Sequence, residues 1–345
     1  MARFKRASDI KCGVIGYGGA FNMGRAHLQG MQAAGMTPLA VCEIDPVRLD
    51  IARAEFPGIE TYDKYETMLK RSDVNLIVII TPHNTHAAIA LKCLKAGKSI
   101  VCEKPLAITT AECDRMLAAA KAHKAVISTY HNRHWDGCIL KAVEVIGGGA
   151  IGDPYRIDAQ MGGFGKPGDW WRSSKRISGG ILYDWGVHLL EYSLQIFKDE
   201  QIAEVTGVSR QGHWAQQSVW KDDTNEDEAL ALVRFKSGKY LTLCVSALNA
   251  LPGRKMLEVR GTKGAYACDH GTWELTTFND RGEKVVTSGP NPPAEGHHYY
   301  QNIADHLVKG EKLVITGEWA RRPIHILDLA NRSARTGRAI KARYT

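Results

Sequence analysis

Over roughly the first third of the chain, short and nearly continuous apolar runs alternate with amphipathic stretches. Ile10 to Ile15, Thr37 to Glu43, Asn75 to Thr81, Ser99 to Glu103 and Ala125 to Tyr130 have the spacing and content of strands. They do not alternate apolar with polar positions, so both faces of each strand are covered, which predicts a parallel sheet. Helices with readable ends fill the gaps. Asp45 caps one with Pro46 at its first position, and Thr110 opens another that runs through Met116 to Ala120. Strand and helix in strict turn predict an N-terminal α/β domain of the Rossmann type, a doubly wound parallel sheet.

After Trp135 the pattern changes. A helix ends in Gly147-Gly148-Gly149, a strand covers Tyr155 to Met161, and a Gly- and Trp-rich loop runs from Gly162 to Ser178. A helix from about Gly180 to Phe197 leads into longer, alternating strands at Ala229 to Phe235 and Tyr240 to Ser246, joined around Ser237-Gly238. Further strands at Met256 to Arg260, Tyr266 to Cys268 and Trp273 to Thr277 predict a C-terminal α+β domain with a large, mostly antiparallel open sheet. Two helices, Tyr299 to Val308 and Glu318 to Thr336, close the chain. A length of 345 residues exceeds what one core usually sustains, which agrees with two domains, 1–131 and 132–345.

Composition narrows the class. No apolar run approaches the length that spans a bilayer, and the basic amino terminus enters a strand pattern with no signal-type apolar region, so a cytoplasmic protein without membrane contact is expected. Eight cysteines are scattered singly with no C-x-x-C spacing, which reads as small buried hydrophobes kept reduced. The formal charge of +8 is spread among acids except near the carboxyl end, where Arg321, Arg322, Arg332, Arg335, Arg338, Lys341 and Arg343 collect. That region is expected to be a solvated helix face or an oligomer contact, not a nucleic-acid patch. The pairs His83/His86 and His131/His134 have metal-like spacing but no thiolate or carboxylate placed beside them, so no metal is expected.

Chemistry concentrates at strand ends. The first strand empties into Gly16-Tyr17-Gly18-Gly19-Ala20-Phe21-Asn22-Met23-Gly24, where glycines let the backbone approach a pyrophosphate at a helix amino terminus. The strict spacing would put a glycine at 21; here Phe21 stands there and the third glycine is displaced to Gly24. Glu43 ends the second strand, where a carboxylate accepts from both adenosine ribose hydroxyls and repels a 2′-phosphate, favouring NAD. Arg48, a turn further on, leaves NADP open. Glu103-Lys104-Pro105 ends the fourth strand and puts a lysine at the carboxyl edge of the sheet. Asp184 and His188 are four apart in the helix that opens the second domain, so both are expected on one face, with the histidine a general base near neutral pH.

Together with Gly24-Arg25-Ala26-His27, Thr81-Pro82-His83-Asn84-Thr85-His86, Asn132-Arg133, Trp171-Arg172, Gly179 through His188 and Ser333 through Arg338, these elements resemble the Gfo/Idh/MocA family over essentially the whole chain. The resemblance implies an NAD(P)-dependent dehydrogenase whose catalytic set is Lys104, Asp184 and His188. It implies a cofactor site built from Gly16, Tyr17, Gly18, Phe21, Asn22, Gly24, Glu43, Thr81, Pro82, Asn84, His86, Glu103, Lys104, Asn132, Trp171 and Arg172. Substrate contacts are implied for Lys104, Arg133, Trp170, Tyr183, Asp184, His188 and Tyr299. The three-residue expansion of the glycine loop is the departure from the family pattern, and Phe21 and Asn22 are placed to reach toward the nicotinamide half.

The expected reaction is oxidation of a secondary hydroxyl of a sugar, sugar derivative or cyclitol. An NAD-dependent glycosidase acting by transient oxidation and elimination is the alternative, although such relatives tend to alter the lysine that is intact here. A non-catalytic dinucleotide-binding regulator need not keep Lys104, Asp184 and His188 together. Leu230, Leu232, Leu241 and Leu243 alternate as strand faces do, and the resemblance adds that the second-domain sheet forms homodimers or homotetramers.

Overall fold

The computed structural model describes residues 2–343 except 252 and 254. In the first part of the chain six strands, β1 (Lys11–Ile15), β2 (Thr37–Cys42), β3 (Glu60–Tyr62), β4 (Leu76–Ile79), β5 (Ser99–Cys102) and β6 (Ile127–Thr129), form one sheet. It has the order β3-β2-β1-β4-β5-β6, and every pair is parallel. Helices α1 (Met23–Ala33), α2 (Pro46–Glu55), α3 (Tyr65–Arg71), α4 (His86–Lys95) and α5 (Thr110–Ala122) connect the strands. The order reverses between β1 and β4, the switch point beside which open α/β sheets bind ligands.

The apolar runs become the core as their lack of alternation requires. Val14, Ile77, Val78, Ile100 and Val101 of the strands and Leu28 and Met31 of α1 are fully buried, each contributing about 1.5–3 kcal/mol on removal from water. One local difference from the sequence reading has a simple cause. The short strand β3 escaped notice because its three residues, Glu60, Thr61 and Tyr62, carry no apolar run. Helix α5 begins at Thr110, as expected, and is capped by Thr109: Thr109 Oγ1 accepts from the Glu112 amide (3.2 Å) while Glu112 Oε2 accepts from the Thr109 amide (2.9 Å).

In the second part of the chain come α6 (Gly137–Gly147), β7 (Pro154–Gly162), α7 (Lys175–Ser178) and α8 (Gly186–Ile196). They are followed by β8 (Ile202–Arg210), β9 (Glu228–Phe235), β10 (Tyr240–Ser246), β11 (Leu257–Gly261), β12 (Gly264–Cys268), β13 (Thr272–Phe278) and β14 (Lys284–Pro290). Helices α9 (His298–Lys309) and α10 (Gly317–Thr336) and strand β15 (Ile340–Lys341) finish it. The nine-stranded sheet runs β14-β13-β12-β11-β7-β10-β9-β8-β15, antiparallel except at β7/β10. Its inner face packs on α8, and Leu241 and Leu243 on that face are fully buried. Leu230 and Leu232 pair with Cys244 and Thr242 across β9/β10 and so belong to the opposite, half-buried face. The two leucine pairs thus serve different faces of one sheet.

The chain divides into one unit made of everything up to His131 together with His297–Arg322, and a second made of Asn132–Gly296 with the remainder. The sequence reading put 297–322 in the second domain. Those residues return to the first unit because α9 brings Tyr299 and Tyr300 into an aromatic cluster with Tyr130 and His27, with ring centroids 4.3 to 5.9 Å apart. No helix among the described residues is long and apolar enough to cross a membrane.

Candidate active site

The glycine loop leaves β1 with Gly16 at φ +101°, and a Cβ there would stand 2.8 Å from the Ile80 carbonyl oxygen. Only glycine allows the chain to cross β4 this closely. Gly24 lies directly on the Tyr17 ring, which explains a glycine at that place, whereas nothing lies within 4 Å of a Cβ at Gly18. Asn22 precedes α1 in the left-handed region (φ 50°), and Phe21 is exposed. Glu43 binds the loop to the end of β2: its Oε2 accepts from the Tyr17 amide (2.6 Å) and its Oε1 from the amides of Ile44 (2.7 Å) and Asp45 (3.1 Å). The Arg48 guanidinium covers Gly19. An open glycine turn, a helix amino terminus and an adjacent cation fit a pyrophosphate and its ribose.

Lys104 lies two positions past the last residue of β5, after Glu103, and is fixed from both sides. Before it, Glu103 donates its amide to Ile79 O (2.9 Å) and accepts the Lys104 amide at Oε2 (3.0 Å) and His27 Nε2 at Oε1 (3.0 Å). Burial would raise the Glu103 carboxyl, but His27, the Lys104 charge and the Lys104 amide outweigh it and hold it below the usual range. After it, the fully buried His86 spans the carbonyls of Pro105 and Thr81, 2.8 Å from each. Burial lowers the pKa of His86 despite those carbonyls. Thr81 is further tied to Thr85 Oγ1 (2.7 Å), Thr85 also bonds Pro82 O (2.6 Å), and Asn84 is exposed on the same turn.

In the second unit α8 begins only at Gly186, not at Gly180. Gly179 and Gly180 take φ of +97° and +123°, and a short 3-10 turn (Ile181–Tyr183) follows. Asp184 therefore precedes the helix that carries His188. Its Oδ1 accepts Arg172 Nη1 (2.7 Å), and the guanidinium lies 5.0 and 5.3 Å from the ring centroids of Trp170 and Trp171. His188, 6% exposed, has the Trp185 ring 5.6 Å away, and Arg133 lies 5.0 Å over that same ring while donating to Asp136 (2.9 Å).

A cavity of about 440 Å³ in the second unit is lined by Trp170, Arg172, Asp184, Asn225 and Ser246 together with the Gly163 to Gly168 loop. Asn225 fixes its wall by donating to Arg172 O (2.7 Å) and accepting Ser178 Oγ (3.0 Å). The buried Glu226 braces the glycine turn through the Ile181 amide (2.9 Å) and Lys175 Nζ (2.8 Å).

Residues 10–131 match an oxidoreductase family with an NAD-binding Rossmann fold, and residues 139–267 match the GFO/IDH/MocA C-terminal domain. The chain belongs to the GFO/IDH/MocA oxidoreductase family. An uncharacterized oxidoreductase of Schizosaccharomyces pombe is 32% identical over 148 residues, 42% of this chain and 40% of its own length, so that match spans less than half of the relative. The scyllo-inositol 2-dehydrogenase (NADP(+)) IolW of Bacillus subtilis is 23% identical over 97% of both chains. A solved NAD-binding protein from Listeria innocua superposes with a TM-score of 0.81 at 25% identity, covering 97% of both.

Within this family fold, the first unit brings together Gly16, Tyr17, Gly18, Phe21, Asn22, Gly24 and Glu43 around the β1–α1 turn, and Thr81, Pro82, His86, Glu103 and Lys104 around the ends of β4 and β5. The second unit brings Trp170, Arg172 and Asp184 to one cavity, with Trp171 beside the Arg172 guanidinium, and Arg133 to the Trp185–His188 pair; Asn132 opens the turn that carries Arg133. Two of the residues expected at the substrate are interior. Tyr183 is 1% exposed against Gly179, and Tyr299, 2% exposed, bonds Ser128 Oγ (2.8 Å) in the first unit. Asn225, Ser246 and Trp185 were missed as site residues. Asn225 and Ser246 reach the cavity from a loop and a strand end distant in sequence, with no spacing to mark them, while Trp185 lay inside the recognised motif and its ring was the available signal.

Proposed function

We propose that this protein is an NAD(P)-dependent dehydrogenase that oxidises a secondary hydroxyl of a sugar, sugar derivative or cyclitol. The observation that supports this best is Lys104, set two positions past the last residue of β5 in a family Rossmann sheet and held on one side through Glu103 and on the other through Pro105. The bound nicotinamide supplies the hydride acceptor. His188, as neutral imidazole, takes the hydroxyl proton, and the Lys104 ammonium donates to the same oxygen and stabilises its developing charge. Asp184, backed by Arg172, accepts from a neighbouring hydroxyl. Kinship with an inositol dehydrogenase supports the cyclitol class, and Glu43 supports NAD while Arg48 leaves NADP as the second cofactor.

The test is to follow nicotinamide reduction with NAD and with NADP against inositols, linear polyols, aldoses, uronates and glycosides, in wild type and Lys104→Met. A polyol or sugar oxidised by wild type and turned over at least about a hundredfold more slowly by the variant, with cofactor affinity unchanged, is the expected result. More than about a tenth of wild-type kcat in Lys104→Met removes the lysine from the mechanism. Glycoside cleavage without net cofactor reduction points to the eliminating reaction instead.

A further inference from the structure

Buried inside the first unit is a chain of polar groups that the reaction above does not use. His27, fully buried on α1, has Nδ1 2.5 Å from the Tyr300 hydroxyl and Nε2 3.0 Å from Glu103 Oε1. The other oxygen of Glu103 accepts the Lys104 amide at 3.0 Å. The chemistry of these groups assigns the protons. An ionised carboxylate only accepts, so Nε2 of His27 carries a proton and donates it to Glu103, while Nδ1 and the Tyr300 hydroxyl form the second bond of the series. Burial pushes the Tyr300 hydroxyl well above its ordinary range, which keeps it a donor, and the Glu103 carboxyl is held low, which keeps it an acceptor. Both hydrogen bonds to the Glu103 carboxylate, from His27 Nε2 and from the Lys104 amide, therefore have one direction only.

Packing makes the series rigid. The Tyr300 ring lies on Gly30 of α1, where a Cβ would come within 2.9 Å of its Cδ2. The Tyr130 ring contacts both His27 (4.3 Å) and Tyr300 (5.7 Å). Nothing about β5 or α1 as secondary structure requires a tyrosine hydroxyl from a helix some two hundred residues further along the chain. The one backbone group at the end of the series is the amide of Lys104.

We propose that His27 and Tyr300 are positioning residues for Lys104: they orient the Glu103 carboxylate, which in turn fixes the Lys104 backbone and hence where its ammonium group is presented. This rests on the reading of Lys104 as catalytic. It predicts that a hydroxyl on α9 and an imidazole on α1, neither needed to touch substrate, set turnover through one amide hydrogen bond.

The experiment uses the full chain with His27→Leu, His27→Gln and Tyr300→Phe, each alone, and with His27→Leu and Tyr300→Phe also combined with Lys104→Met. Residue-resolved amide hydrogen exchange is expected to quicken at Lys104 by about tenfold in His27→Leu and by a smaller factor in Tyr300→Phe, as for loss or weakening of one hydrogen bond to a charged group. Exchange at Ile100 to Cys102 should stay as in wild type, and His27→Gln, whose amide can still donate to Glu103, should restore most of the protection. On the substrate found in the screen, kcat should fall about tenfold in His27→Leu with KM for the cofactor little changed, and neither change should cost anything more in the Lys104→Met background. Unchanged exchange at Lys104, or equal quickening throughout β5, overturns the inference, as does a further loss on top of Lys104→Met. Should His27→Leu fail to fold, Tyr300→Phe, which removes a single oxygen, decides by the same criteria. Near-wild-type turnover in Lys104→Met alone overturns the catalytic reading of the lysine, a result distinct from the exchange outcome.

Discussion

Glu43 does two things with one carboxylate. Three backbone amides converge on it, so it holds the glycine loop to β2, and we propose that its charge also meets the adenosine ribose of the cofactor. Glu43→Ala is therefore expected to weaken both cofactors by loosening the loop, and to weaken NAD more than NADP because ribose acceptance and repulsion of the 2′-phosphate both vanish. The ratio of kcat/KM for the two cofactors should narrow about tenfold; an unchanged ratio assigns the preference elsewhere, with Arg48 first in line. His188 makes a pH prediction. Only neutral imidazole accepts a proton, so kcat/KM for oxidation should rise with pH through one ionisation and level off. His188→Asn should lose that ionisation, leaving a low rate that grows only with hydroxide. A variant that keeps both the rate and the profile would name another base.

Between strands β12 and β13 the turn is organised by Asp269, whose Oδ1 accepts the amides of Gly271 (2.8 Å) and Thr272 (2.7 Å) while Oδ2 meets Lys255 Nζ. Burial pulls its carboxyl upward, but these donors outweigh it and hold it down to about 2. A folded-state value below the unfolded one stabilises the fold above the unfolded pKa, and that contribution is lost as pH falls from about 4 toward 2. Asp269→Asn should lower Tm at neutral pH by a few degrees, and the gap to wild type should close across that acid window. Thermal melts at a series of pH values measure it, and a gap that stays constant rules out the carboxylate as the source. The same scale explains why α8 starts late. Gly179 and Gly180 adopt positive φ, the chain turns there, and Asp184 is delivered to Arg172 while His188 is carried by the helix proper.

Over the whole molecule, the nine-stranded sheet keeps one face on α8 and leaves Leu230 and Leu232 half-buried on the other. Around them runs a charged frame in which Asp158 accepts from Arg156 (2.7 Å), Thr242 (2.6 Å) and Arg260. An open apolar strip within a satisfied polar frame has the anatomy of a subunit interface, and we propose that the protein is a homodimer or homotetramer through this face. Light scattering at micromolar concentration should give at least about twice the monomer mass, and Leu232→Glu should reduce it to the monomer by placing a charge in the contact. A wild-type monomer mass sinks the proposal.

The first unit was legible along the chain because its determinants are local: continuous apolar strands, a glycine turn after β1, and Glu103-Lys104-Pro105 at a strand end each act within a few residues. Strands β7 and β9 to β13 were legible for the same reason, since alternation marks a sheet with one covered face, whereas β8 and β14 were not read. Strand β3 and the start of α8 were not, one for want of an apolar signal and the other because two glycines outweigh helical spacing. What joins residues far apart in sequence was decided by packing alone. Tyr299 and Tyr300 come back to the first unit because their rings are buried there with Tyr130 and His27, Asp184 finds Arg172 because the glycine turn redirects the chain, and Asn225 reaches the cavity wall through hydrogen bonds to Arg172 and Ser178. Periodicity reports which face of an element is covered; the identity of the group that covers it is settled only when the elements close on one another.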